Sequence, residues 1–167
     1  MTVQSSEICP GCGLEKARRD GERHAYLGAS ASCWEVLGQV LAREYADPEY
    51  MVVHRLTVDA YAAQHPGECE ARTIQSINVH LMGLYLSLER RSEAAYVRRV
   101  TASLTAGKHT LTWLERPTSL GVITVDDVIA ARSPAAHKVI VETWARSVWQ
   151  AWAGYRSLIV DLEAAIG

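Results

Sequence analysis

The chain has 167 residues, 49% hydrophobic and 22% charged, with a formal net charge of −2. That suits one globular domain with a sizeable core and excludes a disordered chain. With 17 Lys and Arg against 19 Asp and Glu there is no basic field to gather phosphates, and no apolar run nears the roughly 18 residues a bilayer span needs, so neither nucleic acid nor membrane is an expected partner.

The first element in chain order is a knuckle, Cys9-Pro10-Gly11-Cys12-Gly13. Residues 1–8 are polar and carry no leader pattern, so the chain reads as cytoplasmic, where paired cysteines bind metal more often than they form disulfides. Two thiolates at this spacing can turn toward one tetrahedral ion, and the small residues between them permit the tight turn. Redox dithiols share the spacing, but they sit at a helix start in a βαβ setting that this chain lacks. Thiolate pairs favour zinc, so Zn2+ is the expected ion.

A charged stretch with an Asp20-Gly21 turn signal follows, then small residues ending in Ser30 and Ser32, either able to cap a helix. From Cys33 the pattern turns helical, with Trp34, Leu37, Leu41 and Tyr45 at three- and four-residue steps. Pro48 breaks it by forcing Asp47 out of helical geometry. A second helix is expected over residues 48–64, stopped by Pro66 and Gly67. The third, residues 72–91, is the most apolar: Ile74, Ile77, Leu81, Leu84 and Leu88 form one face, with Val79, Met82 and Leu86 beside it, which marks a central helix. A fourth spans residues 92–106 with Ser92 as its cap. Residues 107–123 read as a loop laid on the bundle through Trp113 and Pro117. A short helix starts at Thr124, and a long one over residues 133–166 carries Pro134 in its first turn. Its stripe from Val141 to Ile166 alternates steps of four and three, the seam of a bundle. No strand alternation competes. The expected fold class is all-α, a single domain: a helical bundle of about five to six helices (33–167) with a zinc-tied N-terminal arm (1–32).

Two further ligands must join Cys9 and Cys12. Cys33 stands at a helix start, where the dipole favours thiolate. His24 lies in the intervening turn, and with it the site would pin an arm of 25 residues from Cys9 to Cys33. His65, at a helix end beside Pro66, is the rival fourth ligand. Cys69, between charged residues, reads as incidental.

Three histidines in apolar context, His54, His65 and His80, exceed what a plain bundle needs. With Asp59 they are the candidate catalytic residues. His54 and Asp59 lie about 140° apart on their own helix, so only a crossing helix can put a third group between them. His80 sits on the apolar stripe between Ile77 and Leu84, with Gln75 and Asn78 near enough to orient it and Tyr61 and Gln64 as neutral hydrogen-bonding groups at the rim. The chain has no Phe but five Trp, three of them in residues 144–152, which suits a partly wet core or an apolar pocket wall.

The motifs "CPGCG", "YLGAS" followed by "CW", "LAREYADPEY", "VHRLTVDAYAAQHPG" and "QSINVHLMGLYLSLE" resemble a bacterial family, a domain of unknown function met often in actinobacteria, whose first motif is linked to zinc. The likeness is good over residues 8–90 and looser in the Trp-rich helix. It puts Cys9, Cys12, His24, Cys33, His54, Asp59, Gln64, His65 and His80 at motif positions and Cys69 outside them. It implies residues, not a reaction.

Two functions are then open. One is an enzyme of bacterial secondary metabolism, using histidine and aspartate acid–base chemistry on a small molecule in a Trp-lined pocket. Its zinc would be catalytic if only three ligands are protein and water holds the fourth place, but three thiolates make a poor Lewis acid and favour a structural ion. The other is a zinc-stabilised binding module, a homodimer through the Trp-rich helix in its simplest form.

Overall fold

The computed structural model describes residues 5–166; residues 1–4 and 167, counted above in the arm and the bundle, lie outside it. The arm is a small hairpin, with β1 (Ser6–Ile8) antiparallel to β2 (Glu15–Ala17) and Glu7 opposite Lys16. Strands of three residues are too short to show alternation. Their turn is the cysteine knuckle, and the Ser32 N–H and hydroxyl donate to Glu7 at 3.2 and 2.7 Å, tying the hairpin to the first helix.

Helices make up the rest: α1 (Ala31–Ala46), α2 (Pro48–Met51), α3 (His54–Gln64), α4 (Ala71–Leu88), α5 (Ala94–Thr105), α6 (Val125–Ala130), α7 (Pro134–Ala151) and α8 (Arg156–Ile166). The all-α bundle expected from the sequence is what forms. Ser30, rather than Ser32, caps α1 by accepting the Cys33 N–H. Thr124 and Asp127 form a reciprocal capping box on α6, and Ser133 with Pro134 starts α7. Glu93 precedes α5 without a side-chain cap, so Ser92 does not have the capping role expected of it.

Two expected helices are broken. The one over residues 48–64 stops at Val52 and Val53, two β-branched residues, with Val53 at φ −110° and ψ 4°. The last one bends at a single 3-10 turn, Ala153–Tyr155, which contains Gly154, a poor helix former. The bend lets α8 lie across α4 and α5, where Glu163 accepts from Tyr96 at 2.8 Å and Arg90 at 3.2 Å.

The helix α3 packs against α4 and α7, and α4 also meets α5 and α8. Their shared core holds Tyr61, Leu81, Met82, Leu84, Leu86, Leu104, Trp144, Trp152 and Ile159, all essentially fully buried. Residues 107–123 lie on this core through Leu114 and Leu120; Trp113 is only half-buried, its N–H donating to Glu115. The inner face of α1 is Cys33, Val36, Leu37, Val40 and Glu44, while Tyr45 is 68% exposed. The expected stripe through Tyr45 was therefore rotated by about one residue. A buried carboxylate, Glu44, occupies the inner face, which apolar counting alone does not anticipate.

Candidate functional site

The knuckle is closed by backbone bonds, the Cys9 N–H donating to Leu14 O at 2.8 Å and the Gly13 N–H to Cys9 O at 2.9 Å. The first turn of α1 presents Cys33 to it, and Cys12 Sγ lies 3.8 Å from Cys33 Sγ. The fourth donor is His65, whose Nε2 is 3.4 Å from Cys33 Sγ. Donor atoms of Cys9, Cys12, Cys33 and His65 all lie within 4.8 Å of one another, so these four can hold a metal ion. Two sulfurs bound at about 2.3 Å and at the tetrahedral angle stand about 3.8 Å apart, the Cys12–Cys33 separation.

The surroundings prepare the donors. His65 Nδ1 faces the Tyr61 carbonyl oxygen at 2.7 Å; a carbonyl only accepts, so Nδ1 carries the proton and Nε2 keeps its lone pair. The Tyr61 hydroxyl donates to Cys33 Sγ and the Ser30 N–H to Cys9 Sγ, each at 3.4 Å. Hydrogen bonds from Cys12 and Cys33 pull the Cys9 thiol far below its usual value. The Cys33 hydrogen bond lowers Cys12, but Cys9 and burial outweigh it and push Cys12 up to about 11. Bonds to Cys12 and Cys9, with burial, push Cys33 far up. Negative charge on three crowded, partly desolvated thiols is self-opposing, and a divalent cation among them would relieve that opposition.

The close packing also explains Gly11. A methyl there would run into the His65 ring and the Gly28 carbonyl. From the 107–123 loop, Arg116 donates to the Pro10 and Gly11 carbonyl oxygens at 2.5 and 2.6 Å, clamping the knuckle.

The structure brings His65, and not His24, to the sulfurs. A bridge between Leu27 and Pro66, with the Gly28 N–H donating to His65 O at 2.9 Å, draws the end of α3 onto the arm. His24 instead packs edge-on against Tyr26 and Trp34. Burial, and then the nearby charge of His80, lowers its pKa. His65 is thereby removed from the catalytic group in which it was also counted. Cys69 is exposed and apart.

The other three candidates meet elsewhere. Crossing of α3 and α4 sets His80 Nδ1 2.8 Å from Asp59 Oδ1, while Arg55 Nε donates to Oδ2 at 2.6 Å. Asp59 is fully buried and His80 is 21% exposed. A carboxylate only accepts, so Nδ1 carries a proton here; in the neutral ring Nε2 then keeps its lone pair, and it has no partner among the described residues. Gly83 makes room for this: a methyl there would strike the Asp59 carboxylate. His54 is also held by a carboxylate, its Nδ1 2.7 Å from Glu44 Oε2. His54, Asp59 and His80 line one cavity of about 420 Å³ between α3, α4 and α5.

Glu44, His137 and Arg116 were missed by sequence reasoning. Glu44 is fully buried and is met by His54, by His137 Nε2 at 2.9 Å and by Thr57 at 2.5 Å, the pairing that a buried carboxylate requires. Its position eleven residues after Cys33, on the same helix face, was the available signal.

Several expected neighbours do other work. Asn78 donates to Ile74 O and Thr112 O, and Gln75 to Thr105 O, so neither orients His80. Gln64 fastens the loop at Leu120 O and Ile123 O instead of lying at a rim, and Tyr61 faces Cys33. The cavity has no Trp in its lining. Trp144 donates to Gln64, Trp152 to Ala63 O and Trp149 to Glu89, so all three indoles pack within the chain.

Residues 7–153 match DUF5946, a family of unknown function. The chain belongs to that family. The span of DUF5946 takes in all four candidate metal donors and the three histidine–carboxylate contacts, His54 and His137 with Glu44 and His80 with Asp59. No curated protein and no solved structure matches this DUF5946 chain. Among its described residues no helix is long and apolar enough to cross a membrane.

Proposed function

We propose that this protein is a cytoplasmic acid–base enzyme acting on a small molecule, of the kind bacterial secondary metabolism uses, with its fold held by a structural zinc ion. The observation that carries this is the Asp59–His80 pair: a fully buried carboxylate fixes the imidazole tautomer and leaves Nε2 open toward a cavity. His80 Nε2 removes a proton from the substrate, and Asp59 stabilises the imidazolium that results. His54, held by Glu44, is a second imidazole on the same cavity and serves the opposite proton transfer.

The zinc reading rests on the donor set. Three thiolates and one imidazole fill a tetrahedral site and leave no position for water or substrate. The ion would hold the hairpin, α1 and the end of α3 together. Trp144 and Trp152 are fully buried, which is why the acid–base reading is preferred to a homodimer through the Trp-rich helix.

A panel of small molecules screened for turnover, with wild type and His80→Asn in parallel, tests the enzyme reading. An activity of wild type should fall by about 10² to 10⁴ in the variant, the usual worth of a positioned acid or base. An activity that survives His80→Asn undiminished contradicts it.

A further inference from the structure

We propose that the substrate is a small dianion, with one acidic group on each side of His80; this rests on the acid–base reading of the same cavity. A second cavity of about 290 Å³ adjoins the first and shares Val79, His80 and Thr105 with it. On α4, Arg72, Ser76 and His80 follow at four-residue steps, so Arg72 stands on the same face as His80 and lines the second cavity. Arg98 reaches the first cavity from α5, and Arg55 reaches it from α3.

These three guanidiniums have unused donors. Arg55 spends its Nε on Asp59, and neither of its terminal nitrogens has a partner among the described residues. Arg72 and Arg98 form no ion pair or side-chain hydrogen bond among the described residues. Asp59 is the sole carboxylate lining either cavity, and His80 and Arg55 already occupy it. A protein of net charge −2 thus gathers unpaired positive charge around one imidazole. Guanidinium forks suit carboxylate and phosphate oxygens, and mutual repulsion among them is relieved by a bound anion. Arg55 and Arg98 on one side and Arg72 on the other give two points of attachment, with His80 between them.

Calorimetric titration at low salt tests this with glutarate and 3-phosphopropionate as two-headed probes, and acetate and inorganic phosphate as single-headed ones. Each two-headed probe should bind at least about tenfold more tightly than either single-headed one, because the second contact becomes intramolecular. The tighter of the two names the head group. Arg72→Gln and Arg98→Gln should each remove most of that advantage, and both are exposed enough to leave the fold intact. His80→Gln should keep the binding and lose turnover; turnover that survives in this variant counts against the acid–base reading alone, whereas binding that is indifferent to the arginines counts against this one. Two-headed probes that bind no better than acetate and phosphate, or as well to both arginine variants as to wild type, overturn the proposal.

Discussion

Replacing Gly83 by alanine sets two effects against each other. In a helix interior Ala is preferred to Gly by about 1 kcal/mol. At this site the added methyl would overlap the Asp59 carboxylate and come within 2.7 Å of Arg55 Nη2. Asp59 is fully buried and held by His80 at 2.8 Å and Arg55 at 2.6 Å, so it moves only by giving up those bonds. Two charge-assisted hydrogen bonds at about 1.5–3 kcal/mol each, less the gain in propensity, leave a net loss of about 2–5 kcal/mol. Gly38, in the middle of α1, is the control, because a methyl there meets nothing within 4 Å. Gly38→Ala should stabilise by up to about 1 kcal/mol. Urea unfolding of both variants, read at constant m, measures the difference. If Gly83→Ala is as harmless as Gly38→Ala, Asp59 does not press on α4 and the dyad is not built as described.

Other consequences can be checked with similar economy. Cys12→Ser, or complete chelation, should loosen residues 5–33 first and lower thermal stability, since a structural ion contributes folding energy directly; hydrogen exchange of the arm amides and an unfolding scan read this, and an unchanged melting curve counts against it. Trp144→Ala should cost about 3–5 kcal/mol, because it removes a fully buried indole and its bond to Gln64, and protection should fall in residues 107–123, which Gln64 fastens. The Arg156 guanidinium beside Glu89, joined there by Trp149 against opposing burial, holds that carboxyl below its usual value. With the folded pKa depressed, this contribution is present above the ordinary glutamate range near 4.3 and is lost as pH falls through the folded value. Arg156→Gln should therefore flatten the acid limb of the stability profile, and only slightly, because solvent screens a pair this exposed; an acid limb identical to that of wild type counts against it.

The metal site was legible as far as its local parts. Cys9 and Cys12 declare themselves by spacing, and Cys33 by its place at a helix start, but the fourth donor did not. His24 is nearer in sequence, while His65 arrives through the Leu27–Pro66 bridge, a contact between distant segments that no local pattern carries. The catalytic candidates show the same division. Helical geometry ruled out a pair of His54 with Asp59 and required a crossing helix, and α4 supplies His80 to Asp59. Glu44 and His137 escaped because each looks unremarkable alone; 93 residues separate them, and only burial of the carboxylate makes the pairing necessary. The indoles followed their chemistry instead of the expected pocket. Each buried N–H found an acceptor, which placed all three in packing roles.

X-ray absorption at the metal edge, on protein purified without added metal and quantified for bound ions, tests the metal-held fold most directly. One zinc per chain is expected, with three sulfurs at about 2.3 Å and one nitrogen at about 2.0–2.1 Å, and His65→Ala should replace that nitrogen while His24→Ala leaves it in place. A folded protein without metal, or a spectrum that loses its nitrogen in His24→Ala, would contradict the site formed by Cys9, Cys12, Cys33 and His65.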